Sequence, residues 1–332
     1  MVSVDKYFFA SHNNTMNESL DQQIREFLEY LSVEKNASKL TIRDYQHYLA
    51  IFASWFSSTL PGKSLKDLNI ATVRKYRGYL ANRVDEKGFT LKRITQNYYV
   101  IALRSFLRFL IKNDFPTLEP SKIDLPKAES RSLKFLERDQ VEHLVTSIDT
   151  SEEQGIRDRA ILELLFSTGL RVSELCKLNQ QQINLERREF GVIGKGQKQR
   201  IVFISDRAAD WIGRYLAERK DTYKPLFIRY SGGVSGENGG EKMRLTSRSV
   251  ERMVKKYVRL ARIPVDATVH TMRHSFATDL LTNGADIRSV QEMLGHKNIA
   301  TTQIYTHITN KQLRDVHKTF HSGNKDAKNF LE

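Results

Sequence analysis

The chain has 332 residues, enough for two domains that each bury a core. Its hydrophobic fraction of 40% and charged fraction of 28% are those of a globular protein, and no apolar run is long enough to span a membrane. A net charge of +14 favours a polyanionic partner, with nucleic acid ahead of membrane surfaces and acidic proteins. The single cysteine, Cys176, excludes an intrachain disulfide and fits a cytoplasmic protein. It lies in an apolar helical pattern and reads as a small buried hydrophobe. The first residues lack a basic stretch followed by a long apolar core, so no secretory signal is expected, only a flexible leader over 1–16.

The first half reads as helices alone. Leu20, Ile24, Phe27, Leu28 and Leu31 recur at helical spacing and predict an amphipathic helix over about 18–34. Asn36 and Ser38 can cap a second helix, which carries Ile42, Tyr45, Tyr48, Leu49 and Phe52 and stops before Pro61-Gly62. A third is expected over about 70–84 and a fourth over about 91–111, which completes a small bundle over 17–113. The stretch DFPTLEPSKIDLPKAESRS holds three of the six prolines and reads as an extended linker over 114–134.

The remainder, 135–321, has mixed character, followed by a short tail over 322–332. Helices are expected at about 137–148, 155–167 and 171–178, then short strands around the basic tip Gly194-Lys195-Gly196. The glycine-rich run 231–242 reads as an inserted mobile loop. Further helices are expected at about 247–262, 271–282, 287–294, 299–305 and 311–319.

Four motifs carry chemistry: TGLRVSE, GKGQKQR, HTMRHSFAT and LGHKNIATTQIYTH. They supply Arg171, Lys195, His270, Arg273, His296 and Tyr305, which is a set able to cut and rejoin a phosphodiester without metal or ATP. Near neutral pH a phenol is a poor nucleophile, so attack by tyrosine needs a proton acceptor and strong stabilisation of the transition state. Arginine suits the second task, because its planar fork holds two phosphate oxygens at once. His270 and Arg273 are three residues apart and share a helix face. His270 and His274 have the spacing of a zinc pair. However, Thr271 stands where a metalloprotease helix has glutamate, and no cysteine or acidic cluster completes a site, so no metal is expected. No Walker-type loop is present, and no cofactor is expected. Lys195 sits at the hairpin tip, with Lys198 and Arg200 as nearby alternatives. Glu174, one turn after Arg171, can orient a neighbouring arginine or histidine, or can form a simple helix ion pair.

In order, spacing and flanking residues these motifs resemble the tyrosine recombinase (phage-integrase) family, in particular its Xer-like branch, from about Asn17 to about Phe320. The resemblance implies a mainly helical fold with a small β-sheet, in which a SAM-like core-binding bundle and a mixed α/β catalytic domain form a C-shaped clamp on DNA. It implies that Tyr305 is the nucleophile and forms a 3′-phosphotyrosine. Arg171 and Arg273 would hold the phosphate, with His270 as general acid/base. Lys195 would protonate the departing 5′ oxygen, and His296 would donate to a nonbridging oxygen. His274 falls outside the active set. The bundle would grip the duplex through Lys39, Thr41, Arg43, Lys92, Arg93, Arg104 and Arg108, and the catalytic domain through Arg244, Arg248 and Arg252, although charge on a helix is ordinarily a solvated face.

The segment after Tyr305, with Leu313, Val316 and Phe320, could fold back onto its own domain; the resemblance implies that it docks on a neighbouring protomer. HSGN then follows where a His-Pro-Arg type ending is common. The implied partners are double-stranded DNA with inverted half-sites, a dimer on one site and a tetramer in the synapse, with a paralogous recombinase as an alternative subunit. The implied activity is site-specific strand exchange through a Holliday junction, for dimer resolution or for integration and excision. A type IB topoisomerase shares this chemistry, and a DNA-binding protein that has lost catalysis is a third reading.

Overall fold

The computed structural model describes residues 15–84, 88–125, 134–194, 199–233 and 236–295, with side chains from Leu20 onward. The chain divides into two compact units, Met1–Ser130 and Arg131–Glu332.

The first unit is a bundle of α1 (Thr15–Val33), α2 (Lys39–Thr59), α3 (Ile70–Asn82) and α4 (Arg93–Lys112). Side-chain oxygens define two of the starts: Ser38 accepts from Thr41 N–H, and Asn69 accepts from Thr72 N–H. The core is aromatic. Phe27 lies 5.6 Å from Phe106 and 5.4 Å from Phe109, and Tyr76 lies 5.1 Å from Phe52 and 4.9 Å from Trp55, ring centre to ring centre. The proline-rich stretch departs from the expected linker. Phe115 and Leu118 pack on this core, Pro120 opens a turn of 3₁₀ helix, and Ile123 is fully buried. Apolar residues spaced among the prolines thus take places on the bundle, while Leu125 is exposed. Residues 126–133 lie outside the described residues.

The second unit is organised around α6 (Glu153–Thr168), which is buried on all sides. Its packed neighbours include α5 (Arg138–Thr146), α8 (Asp206–Glu218) and α10 (Val269–Thr282). The buried charges of α6 are matched internally. Arg157 pairs with Asp158, which also accepts from the Tyr257 hydroxyl, while Arg159 and Arg207 share Glu163. The remaining elements are α7 (Val172–Cys176), α9 (Ser247–Leu260), α11 (Ile287–Leu294) and an antiparallel hairpin of β1 (Glu189–Ile193) and β2 (Gln199–Phe203). The hairpin register runs from Glu189 opposite Phe203 to Ile193 opposite Gln199.

Two expectations are corrected here. Helix α8 is absent from the elements read out of the sequence, although Ser205 caps it and Ala208, Ile212 and Tyr215 form its buried stripe. The glycine-rich run is not wholly a loop: Lys224 N–H donates to Gly239, a 3₁₀ turn forms over Glu241–Met243, and Met243 is buried. The helices expected at 299–305 and 311–319 and the leader over 1–14 lie outside the described residues.

Candidate active site

Three elements converge where α6 ends. Gly169 caps α6 in the left-handed conformation, with φ +59°. A Cβ there would stand 2.5 Å from the Phe276 ring, so only glycine fits both the dihedral and the space. The chain then turns, and Arg171 precedes α7 with extended dihedrals. Glu174, in the first turn of α7, accepts the Arg171 N–H at 3.0 Å and its Nη1 at 2.8 Å. The Arg171 side chain keeps a third of its surface open to solvent.

Arg273, on α10, is 2% exposed. Its Nη1 donates to the Gly169 carbonyl at 2.6 Å and its Nη2 to the Leu294 carbonyl at 2.5 Å. Both acceptors lie at helix C-termini, where carbonyls lack intrahelical partners and the helix dipole is negative. Two helix ends therefore balance a buried cation.

His270, one turn before Arg273, reaches solvent. Partial withdrawal from water, then the guanidinium groups of Arg273 and Arg171, hold its pKa below the usual histidine value. His274 stacks edge-on to it, 4.4 Å between ring centres. Burial first, then the charges of His270 and Arg273, bring the His274 pKa down to about 4. At neutral pH both rings are uncharged, and His270 can accept a proton.

Arg200, the sequence alternative to Lys195, points inward. Its Nη1 and Nη2 donate to the two oxygens of Glu174 at 3.0 and 2.8 Å, and its Nε donates to the Met293 carbonyl at 3.0 Å. Burial works to raise the Glu174 pKa, but the hydrogen bonds and charge of Arg200 and Arg171 outweigh it and hold the group at about 2. Sequence reasoning missed this inward role. The signal was present, since strand alternation puts Arg200 on the face of buried Val202, and an inward arginine needs a buried acceptor. It also missed Ser275, whose Oγ accepts the Leu136 N–H in the interior at 2.8 Å and ties the start of this unit to α10.

The other expected residues are placed as follows. Lys39, Thr41, Arg43, Lys92, Arg93, Arg108, Arg248 and Arg252 are exposed. Arg104 is half-buried and donates to the Pro120 carbonyl. Arg244, expected at DNA, is committed elsewhere. It makes five hydrogen bonds, to Glu241, Asn179 and the carbonyls of Cys176 and Leu178, and these account for its full donor capacity. It braces the end of α7. Cys176 is partly buried, and burial raises its thiol pKa. Lys195, Lys198, His296 and Tyr305 lie outside the described residues.

Residues 134–312 match the model of the phage integrase family, and residues 24–114 match that of its N-terminal SAM-like domain. The chain belongs to the phage integrase family. It is 37% identical to a tyrosine recombinase XerD of Lacticaseibacillus casei over 90% of its own length and 99% of the relative's. It is 34% identical to tyrosine recombinase XerC of Bacillus subtilis, covering 92% and 97% respectively. Its fold matches that of a XerH site-specific recombinase bound to a palindromic difH substrate, with TM-score 0.72, 22% identity and coverage of 93% and 98%. The protein is thus a tyrosine-type site-specific recombinase of the Xer group, and DNA is its substrate. Among the described residues, no helix is long and apolar enough to cross a membrane.

Proposed function

We propose that this recombinase breaks and rejoins DNA with Arg171 and Arg273 on the scissile phosphate, His270 as acid/base, Lys195 and His296 completing the pocket, and Tyr305 as nucleophile. The Tyr305 phenol oxygen bonds to phosphorus while the bond from phosphorus to the 5′ oxygen breaks. Lys195 protonates that oxygen, and the phenol proton passes to the neutral His270. The bond energy is kept in the 3′-phosphotyrosine, so a 5′ hydroxyl from the partner duplex reverses the step without a nucleotide cofactor. The observation that carries this reading is the cluster at the end of α6. There a locked Arg273 and a solvent-reaching Arg171 both act on the His270 imidazole.

Two protomers would occupy inverted half-sites, and four would form the synapse and exchange strands in two steps through a Holliday junction. The bundle and the catalytic unit would each contact the duplex, the latter through Arg248 and Arg252. The protein would act in the cytoplasm on the nucleoid.

The test is a nicked suicide duplex drawn from candidate sites of the host chromosome, incubated without metal or ATP and read on a denaturing gel. A covalent band that vanishes in Tyr305→Phe, with binding retained, supports the reading. A covalent band that persists in Tyr305→Phe refutes the nucleophile. Relaxation of DNA that lacks any specific site would favour topoisomerase activity. Binding without a covalent band on any duplex would favour a non-catalytic DNA-binding role.

A further inference from the structure

Glu174 is 5% exposed and receives four hydrogen bonds, two from Arg171 and two from Arg200. Arg200 is itself only 10% exposed; it is the second residue of β2, opposite Val192, and follows Lys195 by five residues in sequence. Its third contact is the Met293 carbonyl, and its side-chain stem passes so close to Gly295 that a Cβ there would sit 3.2 Å from the Arg200 Cδ. Gly295 caps α11 with φ +64° and directly precedes His296. One side chain of the hairpin therefore meets both the carboxylate that holds Arg171 and the helix end that precedes His296.

We infer that Arg200 is a positioning residue for strand cleavage, which couples the hairpin to the phosphate-binding arginine through Glu174 and to the segment before His296 through Met293. The inference rests on the recombinase reading above. Arg200 is assigned to positioning because all three of its nitrogens hold protein acceptors, two of them the carboxylate that also holds Arg171. A lysine cannot replace it, since one ammonium cannot span both carboxylate oxygens and the Met293 carbonyl together. With Arg200 removed, Glu174 keeps only the Arg171 donors, and its pKa returns toward the ordinary carboxylate range. Protonation would then release Arg171 at mildly acid pH.

The test uses the full-length protein under single-turnover conditions, on a nicked host duplex that the wild type cleaves. In Arg200→Met the rate at saturating DNA should fall about 10- to 100-fold, the range expected when a reacting group is displaced by about an ångström. The half-saturating DNA concentration should stay within about twofold of wild type, as expected when only transition-state interactions are lost. Cleavage by the variant should decline on acidification at a pH where the wild type does not. Added guanidinium, but not ethylammonium, should restore part of the rate of Arg200→Ala. Arg200→Lys should fall between wild type and Arg200→Met, and it carries the test if Arg200→Met does not fold. A wild-type rate in either variant overturns the inference while the recombinase reading stands. So does weakened DNA affinity with an unchanged rate at saturation, which would make Arg200 a DNA ligand. A wild-type protein that cleaves no duplex overturns the recombinase reading and this inference with it.

Discussion

Replacing Gly169 by alanine should harm stability and chemistry together. At φ +59° a residue with a Cβ costs about 1–2 kcal/mol relative to glycine. The new methyl would meet the Phe276 ring at 2.5 Å and the Leu294 side chain at 3.1 Å, an overpacking worth about 1–3 kcal/mol. The sum is about 2–5 kcal/mol. For a unit of this size, at about 2–4 °C per kcal/mol, that is a fall of roughly 4–20 °C in melting temperature. The same displacement moves the Gly169 carbonyl from under Arg273, so cleavage measured well below the melting point should drop further than DNA binding. Thermal denaturation followed by circular dichroism reads the first effect, and suicide-duplex cleavage reads the second. Gly213→Ala is the control: it lies within α8, where an added methyl would meet nothing within 4 Å, and it should raise stability by about 0.5–1 kcal/mol. A Gly169→Ala protein that melts with the wild type and cleaves at its rate would refute the account of this turn.

Glu163→Ala should lower stability by about 3–5 kcal/mol, because it strips the carboxylate from Arg159, which is 8% exposed; urea denaturation at neutral pH checks it. His274 is protonated more readily in the unfolded chain than in the fold, where its pKa is about 4, so stability should fall as pH drops from about 6.5 toward 4. His274→Asn should flatten that decline without abolishing it, since His270 is shifted in the same direction; denaturation midpoints at several pH values decide this. Arg248→Ala should reduce by about 1 the slope of log affinity against log salt for duplex DNA. Arg244→Ala should leave that slope unchanged and lower the melting temperature, because its bonds are internal.

Much of this fold was legible because its signals are local. The stripe from Leu20 to Leu31, the Ser38 cap and the paired strands around a basic tip each need only a few residues to declare themselves. What escaped depends on distant partners. Helix α8 is the exception: its stripe is local, with Arg207, Asp210 and Arg214 on another face, but it starts three residues after β2 with no proline or glycine between to mark the boundary. Helix α6 was expected at about 155–167, but its burial all round and the pairing of its charges depend on partners that meet only once the chain has folded. The proline-rich stretch looked extended because proline marks irregular backbone, whether or not that backbone packs on a core. Arginine position was readable at Arg171 and Arg273, but arginine orientation was not. Arg244 and Arg200 look like phosphate ligands in sequence and are turned inward by carbonyls and carboxylates far along the chain.

The seats of Arg171 and Arg273 differ in how they can be lost. Arg273 is held by the main-chain carbonyls of Gly169 and Leu294. Every residue type carries that oxygen, so a change of side chain at Leu294 leaves the acceptor in place provided the helix end survives. Arg171 is held by the carboxylate of Glu174, which a single codon change removes. Across a diverging lineage, the Leu294 side of Arg273's seat can drift in side-chain identity, whereas its other side stays fixed at Gly169. Arg171, Glu174 and Arg200 must instead change together or not at all.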